Sequence, residues 1–344
     1  MFPKQLGYRM PAEWETHQRT FIAWPVRESM CYPEDEETVC RGYAELCRAV
    51  AEFEPVTVVV NPDDRRRAEE LTGMPPHVDF LAIPHNDSWI RDSGPTFLRG
   101  KDGGLAAVNW KFNAWGGKYA PWDLDDQLAP SLLDHCGIRR FDAPLVMEGG
   151  SFHTDGEGTL ITTEQCLLHP NRNPGMSKAQ IEEYLRQYLG IEKVIWLKRG
   201  LFGDETDGHV DNLACFAAPG KVLLQVCDDP GDENYDISRE NAEILASAED
   251  ARGRKLEVVP IPQPPAAYHE GARLTLSYIN FYFVNRGIIL PIFGGEAEDT
   301  DRRAMEVLRR EFPDRRIRTV DGMAIIREGG NVHCATQQMP AALS

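Results

Sequence analysis

The 344-residue chain has an apolar content of 42% and a formal net charge of −17, values that describe a folded globular protein and exclude an intrinsically disordered one. The acidic balance argues against a nucleic-acid partner, because few cations would be left to neutralise phosphates. It favours a cationic small molecule, since a negative surface raises the local concentration of positive ligands.

The first part of the chain alternates between apolar strands and amphipathic helices. A helix over residues 36–53, for example, places Val39, Tyr43, Leu46 and Val50 on one face. The predicted strands are 20–24, 56–60, 78–83, 96–98, 105–112 and 145–147, and the other helices are 63–71 and a segment within 124–135.

The rest of the chain repeats the order strand–strand–helix–strand. The predicted strands are 151–154, 159–163, 194–197, 209–216, 222–227, 256–261, 276–284, 288–292 and 316–320, and the predicted helices are 177–189, 238–252 and 296–312. With the elements around 96–147, the chain contains four complete units. A fifth unit forms if a strand at 331–336 joins the N-terminal elements.

Five repeated units predict a single α/β domain over residues 1–344, a pseudo-fivefold α/β propeller that leaves no sheet edge open. The first strand of each unit can then line the axis of the ring. Residues that are far apart in sequence would become neighbours around one central cavity. An ordinary α+β fold with the same rhythm of elements is the alternative.

The eight cysteines show neither a Cys-x-x-Cys pair nor the spacing of metal ligands. Scattered thiols in a chain of this length argue against a disulfide framework and favour a reducing compartment. The start of the chain lacks the apolar run of a signal peptide, and the apolar segment 276–293 is interrupted by Asn280, Asn285 and Arg286. We therefore predict a cytoplasmic protein that does not contact a membrane.

The segment 329–338 reads Gly-Gly-Asn-Val-His-Cys-Ala-Thr-Gln-Gln and contains the candidate nucleophile, Cys334. Its glycines and Asn331 favour a turn, and the following residues favour a short strand. In a strand, His333 would point away from Cys334, so a histidine that serves the thiol must come from another unit. A buried structural cysteine beside a satisfied histidine is the alternative.

A second segment, 203–212, combines His209 with four carboxylates. His209 and Asp211 are two residues apart, so a strand would place the imidazole and one carboxylate on the same side. An acidic loop before a buried strand is the plainer interpretation. A metal site is a third, because His-x-Asp can ligate a divalent ion, but no further ligands stand out.

Two further turns place polar groups at the start of predicted axial strands. Asp92 comes just before Gly94 and Pro95, and Trp89 offers a flat π face that could cover a planar cation. Glu148 is followed by two glycines, which leave room for a side chain to reach into a cavity. Each segment is equally compatible with an ordinary turn.

A thiol, an imidazole and several carboxylates have a specific use when they meet in one cavity. Paired carboxylates match the planar, bidentate geometry of a guanidinium. A thiolate can attack the central carbon of that group while a histidine protonates the departing nitrogen. The bound cation would also favour the thiolate, because a free cysteine has a pKa of about 8.5.

Four motifs in this chain resemble the Porphyromonas-type peptidyl-arginine deiminase family, and within it the agmatine deiminases. They are Trp-Ile-Arg-Asp-Ser-Gly-Pro at 89–95, Glu-Gly-Gly-Ser at 148–151, Asp-Glu-Thr-Asp-Gly-His-Val-Asp-Asn at 204–212 and Gly-Asn-Val-His-Cys at 330–334. The similarity runs from about residue 8 to residue 340. It implies the pentein fold, a fivefold α/β propeller, which agrees with the predicted ring.

The resemblance also implies hydrolysis of agmatine to N-carbamoylputrescine and ammonia through a covalent amidino-cysteine intermediate. Cys334 would be the nucleophile, His209 the general acid and base, and Asp92 and Asp211 the carboxylates that hold the guanidinium. Further residues expected to bind the substrate are Glu148, Trp89, Asp87, Glu205, Gly330 and Asn331. No cofactor or metal is expected, and the default assembly is a homodimer or a higher homo-oligomer.

Other functions remain open from the sequence. A peptidyl-arginine deiminase or another guanidine hydrolase would use the same chemistry. A metal-dependent hydrolase would use His209 and Asp211 as ligands, and a ring-shaped binding protein would not turn over any substrate.

Two features differ from the usual pattern of the family. Relatives carry three glycines before Asn-x-His-Cys, whereas this chain has Glu328 at the first of these positions. The connection 262–273 is shorter than in typical agmatine deiminases, where this region helps to cover the substrate. Both features concern the end of the substrate that lies away from the guanidinium.

Overall fold

The computed structural model describes residues 1–342. Its strands are β1 (His17–Ala23), β2 (Val56–Val60), β3 (Val78–Ala82), β4 (Thr96–Arg99), β5 (Leu105–Lys111), β6 (Arg139–Val146), β7 (Phe152–Thr154), β8 (Thr159–Thr163), β9 (Lys193–Leu197), β10 (Ala214–Ala218), β11 (Lys221–Val226), β12 (Glu257–Pro262), β13 (Tyr268–His269), β14 (Ala272–Arg273), β15 (Tyr282–Val284), β16 (Gly287–Ile292), β17 (Arg316–Asp321) and β18 (Thr336–Pro340).

The helices are α1 (Glu36–Ala51), α2 (Arg65–Thr72), α3 (Ile90–Ser93), α4 (Ala114–Gly117), α5 (Asp123–Asp126), α6 (Leu128–Cys136), α7 (Glu164–Leu167), α8 (Lys178–Leu189), α9 (Asn234–Ser247), α10 (Glu298–Glu311) and α11 (Gly322–Ile326). Short 3-10 turns also occur, and two of them, Gly149–Ser151 and Val210–Asn212, bear on the site.

Four of the sheets have the same design. They are β4-β5-β6, β7-β8-β9, β10-β11-β12 and β15-β16-β17. In each, an antiparallel hairpin is followed by a third strand that runs parallel to the second. Parallel neighbours need a crossover, and α6, α8, α9 and α10 provide one in the four units.

The fifth sheet joins the two ends of the chain. Its order is β18-β1-β2-β3, in which β18 is antiparallel to β1 and β1 is parallel to β2. A strand from the C-terminus thus takes the first position of the unit, and N-terminal strands take the others. This closure and the mixed α/β sheets confirm the predicted fold class.

The apolar faces of the helices pack on these sheets. Val39, Tyr43, Leu46 and Val50, the predicted stripe of α1, are all buried in one cluster with β2. The eight cysteines are all unpaired. No helix formed by residues 1–342 is both long and apolar enough to cross a membrane.

Several predicted boundaries were wrong in one consistent way. Strands expected to begin at 151, 209, 276 and 331 begin later, at Phe152, Ala214, Tyr282 and Thr336. The residues in front of them form short helical turns or bends instead. The interpretation of 276–284 as one long strand fails because Ser277 and Asn280 use their polar side chains to contact neighbouring turns.

A short turn or bend stands in front of the first strand of every unit. These five turns are α3, the 3-10 turns Gly149–Ser151 and Val210–Asn212, a bend at 278–280, and a turn at 332–335. They lie at corresponding positions of the five units. The candidate site is built from them.

Candidate active site

With the units numbered along the chain from β4-β5-β6, the first, to β18-β1-β2-β3, the fifth, the five turns contact one another in a closed cycle. The Gly150 amide donates to Asp92 Oδ1 at 2.8 Å, which joins the second unit to the first. Asn280 Nδ2 donates to Asn212 Oδ1 at 2.9 Å, and its Oδ1 accepts from the His333 amide at 3.0 Å. The second and third units are joined by the packing of His209 and Asp211 against Gly150. The fifth and first units are joined by a hydrogen bond between the backbones of Cys334 and Arg91.

Gly150 stands where the first three units meet. A methyl group at this position would lie 2.7 Å from His209 Nδ1, 2.8 Å from Asp211 Oδ2 and 3.0 Å from Asp92 Oδ1. Such distances are too short for a side chain, so only glycine allows these three groups to converge. The cycle closes where the Arg91 amide donates to the Cys334 carbonyl at 3.2 Å.

Cys334 occupies the turn before β18 and has 6% of its surface exposed. Its Sγ lies 3.4 Å from Asp211 Oδ2 and 3.2 Å from Asn280 Nδ2. The thiol is therefore adjacent to a carboxylate of the third unit and to an amide donor of the fourth. An N–H donor directed at the sulfur can stabilise a thiolate.

Asp92 is the second carboxylate of the site. Trp115 Nε1 donates to its Oδ2 at 2.8 Å while the Gly150 amide holds its Oδ1. His209 Nδ1 lies 3.8 Å from the same Oδ2. These contacts fix the orientation of Asp92 on the side of His209 and Asp211.

His209 lies between two acidic groups and is 1% exposed. Its Nε2 is 3.7 Å from Glu148 Oε2, opposite the contact of Nδ1 with Asp92. Glu148 Oε1 accepts from Arg172 Nε at 2.6 Å, so an arginine fixes the carboxylate from behind. Glu148 therefore contacts the imidazole of His209. It does not belong to the lining of the pocket described below.

A pocket opens directly onto Cys334 and is lined by six of the predicted site residues, Asp87, Trp89, Asp92, Glu205, Gly330 and Cys334. Gly330 packs against the indole of Trp89, since a methyl group there would approach the ring to 2.5 Å. His209 and Asp211 lie deeper, behind this lining. The predicted thiol and carboxylate thus face an opening that a small molecule can enter.

Asn331 has a different environment from the other predicted binding residues. Its Nδ2 donates to the Gly322 carbonyl at 3.1 Å, and its Oδ1 accepts from the Val332 amide at 3.0 Å. Both ends of its side chain are used by the backbone. It holds the turn that carries Cys334 and does not line the pocket.

The outer wall of the pocket is formed by the segment 25–31. Glu328, which also lines the pocket, accepts hydrogen bonds from the amides of Cys31 at 2.6 Å and Tyr32 at 3.3 Å. The predicted short connection contains the hairpin β13–β14, whose His269 contacts Asp35 at 2.9 Å. Glu328 therefore binds the end of this wall, and the connection contacts the residues that follow it, at Asp35 and Tyr32.

Electrostatics set the resting state of the nucleophile. Burial and the charges of Asp211 and Asp92 raise the pKa of the Cys334 thiol well above its usual range. Burial acts to lower the pKa of His209, but Asp92, Cys166 and Glu148 outweigh it and raise that pKa well above its usual range. Without a ligand, the site therefore holds a neutral thiol and an imidazolium near neutral pH.

The two carboxylates of the site differ in their affinity for a proton. Burial, with the charges of Asp211 and Glu148, raises the pKa of Asp92. Burial also opposes ionisation of Asp211, but the hydrogen bond and charge of His333 outweigh it and lower its pKa. Asp211 is consequently the carboxylate that stays ionised in the empty site.

One group of potential metal ligands occurs among the described residues. Glu148, Cys166 and His209 have donor atoms within 4.8 Å of one another, and all three side chains are buried. The pair His209 and Asp211, proposed from the sequence as a metal-ligand pair, is not part of it. Arg172, bound to Glu148, places a cation beside these donors and so opposes a further positive charge.

His333 is arranged differently from the prediction. Because residues 332–335 form a turn and not a strand, His333 does not point away from the thiol. Its Nδ1 lies 2.9 Å from Asp211 Oδ2, the same oxygen that Cys334 Sγ contacts. The two neighbouring side chains thus meet at one carboxylate.

Two side chains of the site, Asn280 and Glu13, were not predicted from the sequence to be functional. Asn280 was noted only as an interruption of an apolar segment, and that interruption is the signal that could have identified it. A fully buried asparagine in a strand-like run needs partners for its amide. Its partners are the thiol and the turns of two other units.

The family model of Porphyromonas-type peptidyl-arginine deiminases matches residues 9–340. The chain belongs to this family. Within the peptidyl-arginine deiminase family, a protein from Legionella pneumophila is 49% identical over 338 residues, covering 98% of this chain and 96% of the relative.

Two further members of the family bear an activity in their names. The agmatine deiminase of Stutzerimonas stutzeri is 43% identical over 363 residues, covering 98% of this chain and 97% of that protein. The structure of the agmatine deiminase of Enterococcus faecalis superposes with a TM-score of 0.93 at 35% identity, over 99% of this chain and 98% of that one.

A more distant likeness concerns the fold alone. The dimethylarginine dimethylaminohydrolase of Pseudomonas aeruginosa is 13% identical, with a TM-score of 0.52 over 94% of this chain and all of that one. Together with the family members, this likeness identifies the fold as the pentein fold, as expected from the ring of repeated units.

Proposed function

We propose that this protein is an agmatine deiminase, a hydrolase that converts agmatine to N-carbamoylputrescine and ammonia. The observation that carries the proposal is the convergence of Cys334, Asp211, Asp92 and His209 from three units at the base of one pocket. The family and its named members support the same activity.

Binding uses charge and shape. A guanidinium placed beside Cys334 is bound by Asp92 and Asp211, whose carboxylates suit its planar set of N–H donors. Its positive charge offsets the two carboxylates that keep the thiol protonated, so the pKa of Cys334 falls on binding. The proton that leaves the sulfur passes to solvent as the substrate cation binds, and the imidazolium of His209 keeps its own proton.

The first half of the reaction forms a covalent intermediate. The Cys334 thiolate attacks the guanidinium carbon, and a C–S bond forms as the C=N electron pair moves to nitrogen. The imidazolium of His209 protonates one terminal nitrogen, the C–N bond breaks, and ammonia leaves. The product is the amidino-cysteine intermediate, a positively charged isothiouronium group on Cys334, and His209 is left neutral.

The second half hydrolyses that intermediate. Neutral His209 takes a proton from a water molecule, whose oxygen attacks the amidinium carbon to form a tetrahedral adduct. The C–S bond then breaks, and the thiolate leaves with its electron pair. The adduct becomes the ureido group of N-carbamoylputrescine, and its excess proton passes to solvent.

The outer part of the pocket favours an amine over a carboxylate. Asp87, Glu205 and Glu328 line it, so the distal ammonium of agmatine is attracted there. Free arginine would place a carboxylate among these acidic groups and be repelled. These three acidic side chains therefore distinguish agmatine from free arginine.

Turnover of agmatine, free arginine and a peptidyl arginine, followed as ammonia and ureido product, tests the substrate. We expect kcat/KM for agmatine to exceed that for free arginine by at least about 100-fold, the discrimination of roughly 2.7 kcal/mol that charge repulsion can supply. A peptidyl arginine, which lacks the distal ammonium of agmatine, should also be turned over with a lower kcat/KM. A preference for an arginine form would refute the assignment. Covalent capture of Cys334 by 2-chloroacetamidine, located by mass spectrometry, tests the nucleophile separately.

Two further properties belong to the proposal. We place the enzyme in the cytoplasm, where a reducing environment keeps a catalytic thiol free. We also expect a homodimer or higher homo-oligomer in solution. Sedimentation equilibrium of the purified chain decides the second point, and a monomer at micromolar concentration would contradict it.

A further inference from the structure

A buried network of charges lies directly beneath the site. Both carboxylate oxygens of Glu13 lie 3.0 Å from His333 Nε2. Arg91 Nη1 donates to Glu13 Oε1 at 3.3 Å, and His153 Nε2 is 3.5 Å from Oε2. Glu13, which belongs to none of the repeated strands, thus reaches the turn that carries Cys334.

The proton on His153 is assigned by a backbone contact. The Phe216 amide donates to His153 Nδ1 at 3.2 Å, so Nδ1 is an acceptor and has no hydrogen. The hydrogen of the neutral ring is then on Nε2, which faces Glu13. His153 is therefore a neutral donor to Glu13 and contributes no net charge to the network.

His333 is held in a different way. Its Nδ1 lies 2.9 Å from Asp211 Oδ2 while its Nε2 lies 3.0 Å from Glu13. Ionised carboxylates only accept hydrogen bonds, so both ring nitrogens must carry hydrogen for both contacts to be favourable. The geometry therefore requires an imidazolium between two carboxylates.

The balance of charge agrees with this assignment. Burial opposes ionisation of Glu13, yet the charges of His333 and Arg91 and the hydrogen bond from His153 outweigh it and hold the pKa of Glu13 well below its usual range. Burial and the charge of Arg91 act to lower the pKa of His333, but Glu13 and Asp211 prevail and raise it. Two cations, His333 and Arg91, then neutralise two anions, Glu13 and Asp211.

We propose that Glu13 is a positioning residue that keeps His333 in its imidazolium form and thereby keeps Asp211 ionised and oriented for the guanidinium. Asp211 Oδ2 is held by His333 beside the thiol. Asp211 Oδ1 is buried and has no hydrogen-bond partner within the described residues. It is the oxygen left free to bind an N–H of the substrate.

This proposal rests on the proposed function, because it assigns a role in binding the guanidinium. The acid limb of kcat/KM should follow the titration of Asp211, whose ionised form is lost as pH falls through its lowered pKa. The other charged or titratable groups that face Asp211 are His209, Asp92, Cys334, Asp204 and Cys215. All of them remain when Glu13 is changed, so a shift of the limb reports on Glu13 and His333.

The first test is made on the substrate-free wild-type protein. Two-dimensional 15N NMR of histidine-labelled protein distinguishes an imidazolium, with two equivalent protonated nitrogens, from either neutral form. We expect the His333 signals, assigned with His333→Gln, to be those of an imidazolium from pH 6 to pH 8. A neutral His333 at pH 7 would overturn the inference.

The second test uses Glu13→Gln. The glutamine amide can donate to a neutral His333 Nε2 and leave Nδ1–H on Asp211, so hydrogen bonds persist while the charge is removed. We expect the His333 signals to become those of a neutral ring. The acid limb of kcat/KM should move up by about one to three pH units. KM at pH 7 should rise about tenfold, and kcat should change less.

Glu54→Gln is the matched control. Glu54 forms an equally buried pair with His17, Oε1 to Nδ1 at 2.9 Å, but its side chain does not contact the site. Glu13→Asp keeps the charge and should retain the wild-type position of the acid limb. If Glu54→Gln shifts the limb as much as Glu13→Gln does, the effect is general destabilisation and the proposal is wrong.

The two proposals can fail separately. The NMR experiment needs no substrate, so a wild-type protein that does not turn over agmatine refutes the proposed function and not the protonation state of His333. If agmatine is turned over and Glu13→Gln leaves the acid limb and KM unchanged, the role of Glu13 is refuted while the function stands.

Discussion

Asn280 provides a direct test of how the ring of turns prepares the thiol. Its Nδ2 lies 3.2 Å from Cys334 Sγ, and its Oδ1 accepts from the His333 amide at 3.0 Å. Asn280→Ala removes an N–H donor to the attacking sulfur. It also leaves a buried amide without its acceptor.

The two losses have different magnitudes and different readouts. A hydrogen bond to a charged group contributes about 1.5–3 kcal/mol, so kcat/KM should fall about 10- to 150-fold and the pKa of the bound-state thiol should rise by about one to two units. The unsatisfied amide costs roughly 1–3 kcal/mol of unfolding free energy. The first effect is specific to catalysis, and the second is not.

The assay combines steady-state ammonia release with the pH dependence of Cys334 inactivation by 2-chloroacetamidine. Asn241→Ala is the matched control, because Asn241 is also fully buried and bonds two backbone groups, the Lys198 amide and the Arg199 carbonyl, away from the site. It should lose similar stability and retain kcat/KM.

Asn280→Asp adds a sharper comparison. The carboxylate keeps an acceptor for the His333 amide but replaces the donor to sulfur with a negative charge, so it should depress thiolate formation more than alanine does. The reasoning is refuted if Asn280→Ala loses stability while kcat/KM and the inactivation profile stay within threefold of wild type, roughly 0.65 kcal/mol.

Three further predictions concern the nucleophile and the pocket wall. Cys334→Ser should abolish turnover with little change in Tm, whereas activity that survives Cys334→Ala and is lost with a chelator would establish a metal-dependent hydrolase. Burial and the charge of Asp125 raise the pKa of Asp87 to about 7. Asp87 therefore gains its charge as pH rises from 6 to 8, and KM for agmatine should fall over that range. If KM still falls over this range in Asp87→Asn, the prediction is wrong. Glu328→Gln makes one of the two backbone N–H donors, of Cys31 or Tyr32, face an NH2 group and lose its hydrogen bond. The lost hydrogen bond costs roughly 0.5–1.5 kcal/mol, so KM should rise severalfold while kcat is retained. An unchanged KM would show that the wall does not need this contact.

Much of the fold follows from local patterns in the sequence. The stripe of α1, the apolar run 56–60 and the repeated order of elements were enough to predict five units and the union of the two chain ends. These patterns depend on the side-chain periodicity of helices and strands, which adjacent residues determine. The predicted starts of the axial strands were wrong because the turns found at those positions are held by contacts with other units, which the local sequence does not show.

The residues of the candidate site likewise form two groups, those that sequence motifs predicted and those that only the structure identified. Cys334, His209, Asp92 and Asp211 were predicted from motifs whose residue types suit guanidine chemistry, and the structure places all four around Gly150 and the pocket. Asn280 and Glu13 carry no motif of their own. Their importance comes from partners that are 54 and 320 residues away in sequence.

By itself, the sequence determined the repeat, the closure of the ring and the residue types available at each turn, because periodicity and composition are local properties. Only the tertiary structure decided which atoms of those turns meet: that His333 shares Asp211 with Cys334, that Glu13 supplies the opposing charge, and that Asn280 contacts the sulfur. The physical reason is that hydrogen bonds and charges between buried groups depend on distances of a few ångströms, and those distances exist only once five separate units have packed around a common axis.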